Sequence, residues 1–255
     1  CPDLFLARPD FKLYEKNSRA FMDICRRYAP VVEKFSIDEC FLDMTGTDKL
    51  YPNPIEIAYR IKEEIKKELG FTVNVGAGPN KLLAKMASDM EKPDKVHTLF
   101  ISQIQEKLWP LPVRELYSVG RATAQKLDKA GIRTIGELAN AFLPFLQSLL
   151  GKKAGKQLHE YANGIDFSPV MNEPKEAKGY SVSVTLAEDI TSLDNADRIL
   201  LELADSVTAR MRADKGRAQC ISVCIRSRDF KNSSRQRRLD EATDITDAVY
   251  RTAKE

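Results

Sequence analysis

The stretch FSIDECFLD, residues 35–43, sets two acids, Asp38 and Glu39, side by side inside a strand-like apolar run. Buried carboxylates without a cation are costly, so the pair asks for a partner. In an ideal strand the two side chains would point to opposite faces. They converge on one ion only where the chain bends, which predicts a hairpin with the acids near its turn. Spacing alone leaves two readings open: a surface turn with two solvated acids, or a hairpin largely buried around a metal ion. The flanking Phe35, Ile37, Phe41 and Leu42 favour the second. Carboxylate oxygens are hard ligands and point to Mg2+ rather than zinc. The other donors agree: only His97 and His159 as imidazoles, and five cysteines (1, 25, 40, 220 and 224) with no CxxC pair.

Three further groups could do chemistry. In GAGPNKLLAKMASDMEKPD, residues 76–94, Lys81, Lys85 and Lys92 gather around one helix. A divalent ion with ammonium groups suits a triphosphate, because both neutralise charge on phosphoryl oxygens. Gly76 and Gly78 form no Walker loop, since the GK[ST] ending is missing. Next, residues 112–139 read as helix, tight turn at Ser118-Val119-Gly120-Arg121, helix, then a turn at Gly131 and another helix. This resembles a helix–hairpin–helix unit, whose backbone N–H groups at a helix N-terminus hold a DNA phosphate without reading sequence. The usual hairpin has a glycine on each side of the apolar residue; here Ser118 stands in the first place. Finally, ten basic residues against two acids lie between Arg210 and Arg238. Ser222, Arg226, Arg228 and Arg235 there, with Ser181, Ser183 and Thr185 on a second predicted strand, suit phosphate backbones. No aromatic residue interleaves on that polar face, which argues against base stacking of single strands.

The elements that must position these groups follow from periodicity. Arg19–Tyr28 carries an apolar helical stripe, and 31–45 is strand-like. Asn53 and Pro54 open a helix through Ile57, Ile61, Ile65 and Leu69, closed by Gly70. A strand over 71–76 and a helix over 81–90 come next. Residues 95–165 show helical periodicity and no strand, and 169–179, with Pro169 and Pro174, reads as a linker. Strict alternation predicts strands over 180–186 and 220–228, around a helix over 195–212 capped by Asp194.

Composition is that of a soluble globular chain: 255 residues, 43% hydrophobic, 30% charged, net charge +3. The length fits two or three domains. There is no apolar run of membrane-spanning length and no signal peptide at the head. The cysteines read as small core residues of a reducing, cytoplasmic compartment. A first residue Cys1 and a last residue, Glu255, inside a helical pattern predict a fragment.

Taken in order, SIDECFLD, GAGPNKLLAKMASDMEKPD, LYSVGRATAQKLDKAGIRTIGELA and SVSVTLAEDI resemble the motifs of Y-family (DinB/UmuC-like) translesion DNA polymerases. The resemblance implies an α+β multidomain fold: a partial palm over 1–94, an all-helical thumb with a helix–hairpin–helix over 95–168, a linker, and a truncated β-α-β-β-like little finger over 180–255. It implies template-directed nucleotidyl transfer with two Mg2+ ions, metal binding at Asp38 and Glu39, and triphosphate contact at Lys92. The implied partners are primer–template DNA, an incoming dNTP and a sliding clamp, for a monomeric enzyme. The family's first strand, DxDxFFxxVE with a further aspartate, and its fingers have no counterpart here, which predicts that the chain alone does not polymerise. A non-catalytic DNA-binding adaptor of the same fold is the alternative, and the retained acids argue against it.

Overall fold

Asp10 accepts a hydrogen bond from the Leu13 backbone N–H and so opens helix α1, Phe11–Arg26, eight residues before the predicted start. The computed structural model describes residues 2–172 and 177–255, and the chain divides into two units, 1–174 and 175–255. Cys1 and residues 173–176 of the predicted linker lie outside the described residues.

In the first unit, β1 (Val31–Lys34) and β2 (Cys40–Asp43) pair antiparallel, Val31 opposite Asp43 and Lys34 opposite Cys40. Residues 35–39 form the bend between them, as the neighbouring acids predict. Helix α2 (Pro54–Leu69) has the predicted ends: Asn53 accepts from the N–H groups of Ile55 and Glu56, and Gly70 closes it in the left-handed conformation. Its Ile57, Ile61 and Ile65 bury against Phe21 and Ile24 of α1 and Val32 of β1, forming one hydrophobic core.

β3 (Val75–Ala77) crosses through α3 (Lys81–Asp89) to a parallel partner, β4 (Val96–Thr98). The expectation of no strand over 95–165 is thereby corrected; three residues are too few to interrupt the helical periodicity around them. The apolar side of α3 (Leu82, Leu83, Met86, Ala87) belongs to a second core, shared with Leu99, Leu108, Leu116, Leu127 and Leu138. The helices α4 (Arg121–Lys129), α5 (Ile135–Ala139), α6 (Leu143–Leu150) and α7 (Lys152–Ala162) enclose it. Thus the lysine helix is anchored from its apolar side, and its lysines, Lys81 and Lys85, are left to pair with acids.

The second unit contains α8 (Leu193–Ala213), an antiparallel pair β5 (Ala218–Arg226) and β6 (Asn232–Thr243), and α9 (Thr246–Lys254). Buried Thr208 of α8 bonds Thr246 at 2.8 Å, which ties the start of α9 to α8. Two expectations change here. Ser192, not Asp194, caps α8, accepting from the Asn195 N–H, while Asp194 sits in the first turn. The strand predicted over 180–186 is irregular: no ladder partner reaches it among the described residues, and Val184 and Leu186 stay exposed. Alternation satisfies one face of a strand, but only a neighbouring strand satisfies its N–H and C=O groups. The described order is therefore α-β-β-α rather than β-α-β-β. The cysteine reading also divides: Cys25 is buried and Cys40 half-buried, 3.7 Å apart at sulphur, while Cys220 and Cys224 on β5 are exposed. Alternation with Ile221 and Val223 turns those two outward.

Candidate active site

The bend that carries the acids is closed by its own backbone. The N–H groups of Phe35 and Ser36 both donate to the Glu39 carbonyl, at 3.0 and 3.1 Å. Ser36 Oγ donates to Asp38 Oδ1 at 2.6 Å. The hairpin is not the largely buried one predicted. Asp38 is exposed, and Phe35 and Ile37 keep 41% and 45% of their surface. A five-residue bend carries its side chains past the last cross-strand pair, where no neighbouring element covers them. They line instead an open cleft of about 1100 Å3.

Against the bend stands α3. Lys85 Nζ reaches Glu39 Oε1 at 2.5 Å and Asp89 Oδ2 at 2.9 Å. Lys92 Nζ contacts the other oxygen, Asp89 Oδ1, at 2.8 Å. A continuous line of alternating charge, Glu39–Lys85–Asp89–Lys92, therefore runs along the wall. Lys81 turns elsewhere, to Glu33 at 2.7 Å and over the Phe41 ring. Burial pushes the Lys85 pKa down, yet Glu39 and Asp89 outweigh it and hold it above the ordinary lysine value. Burial likewise raises Asp89, and Lys92 with Lys85 overcomes that and holds its carboxyl below the usual aspartate value. Asp89 was not among the predicted site residues. Its spacing, four after Lys85 on the predicted helix, is the helical ion-pair signal that could have found it.

The height of α3 over the sheet depends on Gly76. A Cβ there would lie 2.0 Å from the Ala84 carbonyl oxygen and 2.4 Å from the Ser88 nitrogen. That glycine serves close strand–helix approach, which explains a glycine-rich turn without a Walker ending.

As a metal site the bend offers two ligands of the right kind. Asp38 presents a solvent-facing carboxylate and Glu39 a carboxylate held by Lys85, both hard oxygen donors that suit Mg2+. No group of three acidic, histidine or cysteine donors converges among the described residues, so the pair fits part of a site.

The predicted turn at 118–121 has hairpin geometry. Ser118 adopts a φ of 72°, Val119 is buried, and Gly120 is the N-cap of α4 without a side-chain cap. The first N–H groups of α4 thus have no side-chain partner, and Gly120 stands in open space. In the second unit the β5–β6 register divides the remaining predicted residues. Ser222 opposes Gln236 and Arg226 opposes Asn232, so Ser222, Arg226 and Arg238 share one polar face. Arg235 opposes Val223 and lies on the other face, with Ile221 and Arg237. Arg228 is in the connecting turn, and Ser181, Ser183 and Thr185 lie in the unpaired segment.

Residues 1–89 match the profile of the impB/mucB/samB family, and 177–255 that of the impB/mucB/samB family C-terminal domain. Residues 114–166 match the DNA polymerase-iota thumb domain. The chain is 44% identical to DNA polymerase IV of Clostridium acetobutylicum over 246 residues, 96% of this chain and 62% of that protein. It is 38% identical to DNA polymerase IV 1 of Bacillus subtilis, over 100% of this chain and 61% of the relative. The chain thus spans less than two thirds of the length of these curated relatives. Among solved structures, a Y-family DNA polymerase chimera superposes with a TM-score of 0.86 at 25% identity, covering 99% of this chain and 72% of that one. DinB from Sulfolobus solfataricus gives 0.63 at 25%, with 99% and 73% covered.

Proposed function

Because the chain belongs to the Y family of DNA polymerases, the impB/mucB/samB family, we propose that it forms the acid-pair, triphosphate and DNA-holding parts of a DNA-directed DNA polymerase acting in translesion synthesis. The observation that carries this reading is the pairing of the Asp38–Glu39 bend with the lysines of α3 and Lys92 along one open cleft. Asp38 and Glu39 would hold Mg2+, two ions in the complete site, and the metal supplies neutralising charge to the phosphoryl oxygens. Lys92 binds the triphosphate of the incoming nucleotide. Lys85 keeps Glu39 turned into the cleft.

DNA is gripped without reading its sequence. The hairpin Ser118-Val119-Gly120-Arg121 offers the uncapped N-terminus of α4 to a backbone phosphate. Ser222 and Arg226, with Arg228 in the turn beyond, serve the phosphates from the second unit, and Ser181, Ser183 and Thr185 contribute hydroxyls. Among the described residues no helix is long and apolar enough to cross a membrane. We place the enzyme in the cytoplasm, as a monomer recruited by a sliding clamp.

The test is Mg2+-dependent primer extension, on intact and lesion-bearing templates, by a protein carrying this chain in the full length of its relatives. Asp38→Ala and Glu39→Ala are each expected to lower extension on the order of 10²-fold or more. Extension that survives both substitutions would overturn the site assignment, and DNA binding with no extension by the unsubstituted protein would favour the adaptor.

A further inference from the structure

Between the acids and Lys92 stands a residue that neither the metal nor the triphosphate requires. We propose that Asp89 is a positioning residue for triphosphate binding, one carboxylate that holds the ammonium groups of Lys85 and Lys92 together on the cleft wall. The inference rests on the reading of Lys92 as the triphosphate lysine.

Three observations carry it. Asp89 divides its two oxygens, Oδ2 to Lys85 at 2.9 Å and Oδ1 to Lys92 at 2.8 Å, so neither lysine displaces the other. The lysines differ in what holds them. Lys85 is largely covered, with 15% of its side chain exposed, and Glu39 holds it as well. Lys92 is 59% exposed and lies beyond the end of α3, and its ion pair is with Asp89. A lysine stem has many rotamers, and ordering it at the moment of binding costs entropy. A carboxylate that orders it beforehand removes part of that cost from the binding step. Finally, Asp89, Lys85 and Lys92 all line the cleft that holds the acid pair.

The competing account is an ordinary surface ion pair, and the two accounts differ in sign. An acid beside an anionic ligand repels it, so if Asp89 only contributes charge, its neutralisation tightens triphosphate binding. If Asp89 positions Lys92, the same change weakens binding.

The experiment is calorimetric titration of Mg2+-deoxyadenosine triphosphate into the protein, with thermal melting of every variant alongside. Asp89→Asn is expected to bind about 3–10-fold more weakly, and Asp89→Glu to recover most of the loss. Adding Asp89→Asn to Lys92→Ala should produce no further loss, because the positioned group is already gone. Equal or tighter binding by Asp89→Asn, while Lys92→Ala weakens it, overturns the positioning role and leaves the triphosphate site standing. Wild-type affinity in Lys92→Ala overturns both. Should Asp89→Asn melt well below the wild type, the Asp89→Glu comparison decides: failure to recover binding in a stable Glu variant overturns the proposal.

Discussion

Ser118 holds the hairpin in a conformation that its side chain resists. With φ at 72° it sits in the left-handed region, where a Cβ crowds the following carbonyl and glycine has no such penalty. The resemblance to helix–hairpin–helix units wants a glycine at that place, and the backbone shows why. Ser118→Gly is therefore expected to stabilise the first unit by about 0.5–1 kcal/mol, the gain from relieved strain less the extra freedom of the unfolded glycine. Urea denaturation measures it, and a variant less stable than the wild type would contradict the strain reading. At the same scale the acid pair was legible in the sequence and its surroundings were not. Neighbouring carboxylates between strand-like runs required a bend, and a bend is what forms. Their apolar flanks suggested burial, but Phe35 and Ile37 lie beyond the last strand pair, where hydrophobicity cannot by itself supply a covering element.

At the scale of elements, the ends of α2 were read closely, and two strands were not. Asn53, Pro54 and Gly70 carry their signals in their own chemistry, and α2 begins and ends where they say. A strand needs a partner that local sequence does not name. Val182, Val184 and Leu186 alternate as a strand should, and no ladder forms; Val96–Thr98 shows no alternation to speak of, and pairs with β3. The β3–α3 contact is the element on which the cleft depends. Gly76→Ala would drive a methyl group into backbone atoms of Ala84 and Ser88, which cannot swing aside as a side chain can. The helix must shift, and with it Lys85 and Asp89. Overpacking of this kind is expected to cost roughly 1–3 kcal/mol. Triphosphate affinity should fall together with stability, because the lysines leave the positions set by the acids. A Gly76→Ala protein with unchanged melting temperature and unchanged triphosphate binding would show that the contact does not position the wall.

Over the whole molecule, net charge hides the distribution that matters. A formal charge of +3 says little, whereas ten basic residues in one segment of the second unit mark the surface proposed to meet phosphates. The positions of those residues were legible, and alternation over 220–228 set Ser222 and Arg226 on the face opposite Ile221 and Val223; the face of Arg235 was not legible, because it depends on the register of the partner strand. Arg226 and Arg235 looked equivalent in sequence, and the β5–β6 pairing separates them, Arg226 with Ser222 and Arg235 with Val223. That separation predicts unequal effects on DNA. Binding to duplex DNA should weaken steeply with salt, since neutralised phosphates release counterions. Arg226→Ala should lower the slope of log affinity against log salt by about one, weakening all sequences alike. Arg235→Ala, on the face shared with Ile221, should leave the slope unchanged. Fluorescence anisotropy over a salt series separates these outcomes. Equal slopes for the two variants would mean that DNA does not choose the polar face, and affinity indifferent to salt would remove the phosphate-backbone reading itself.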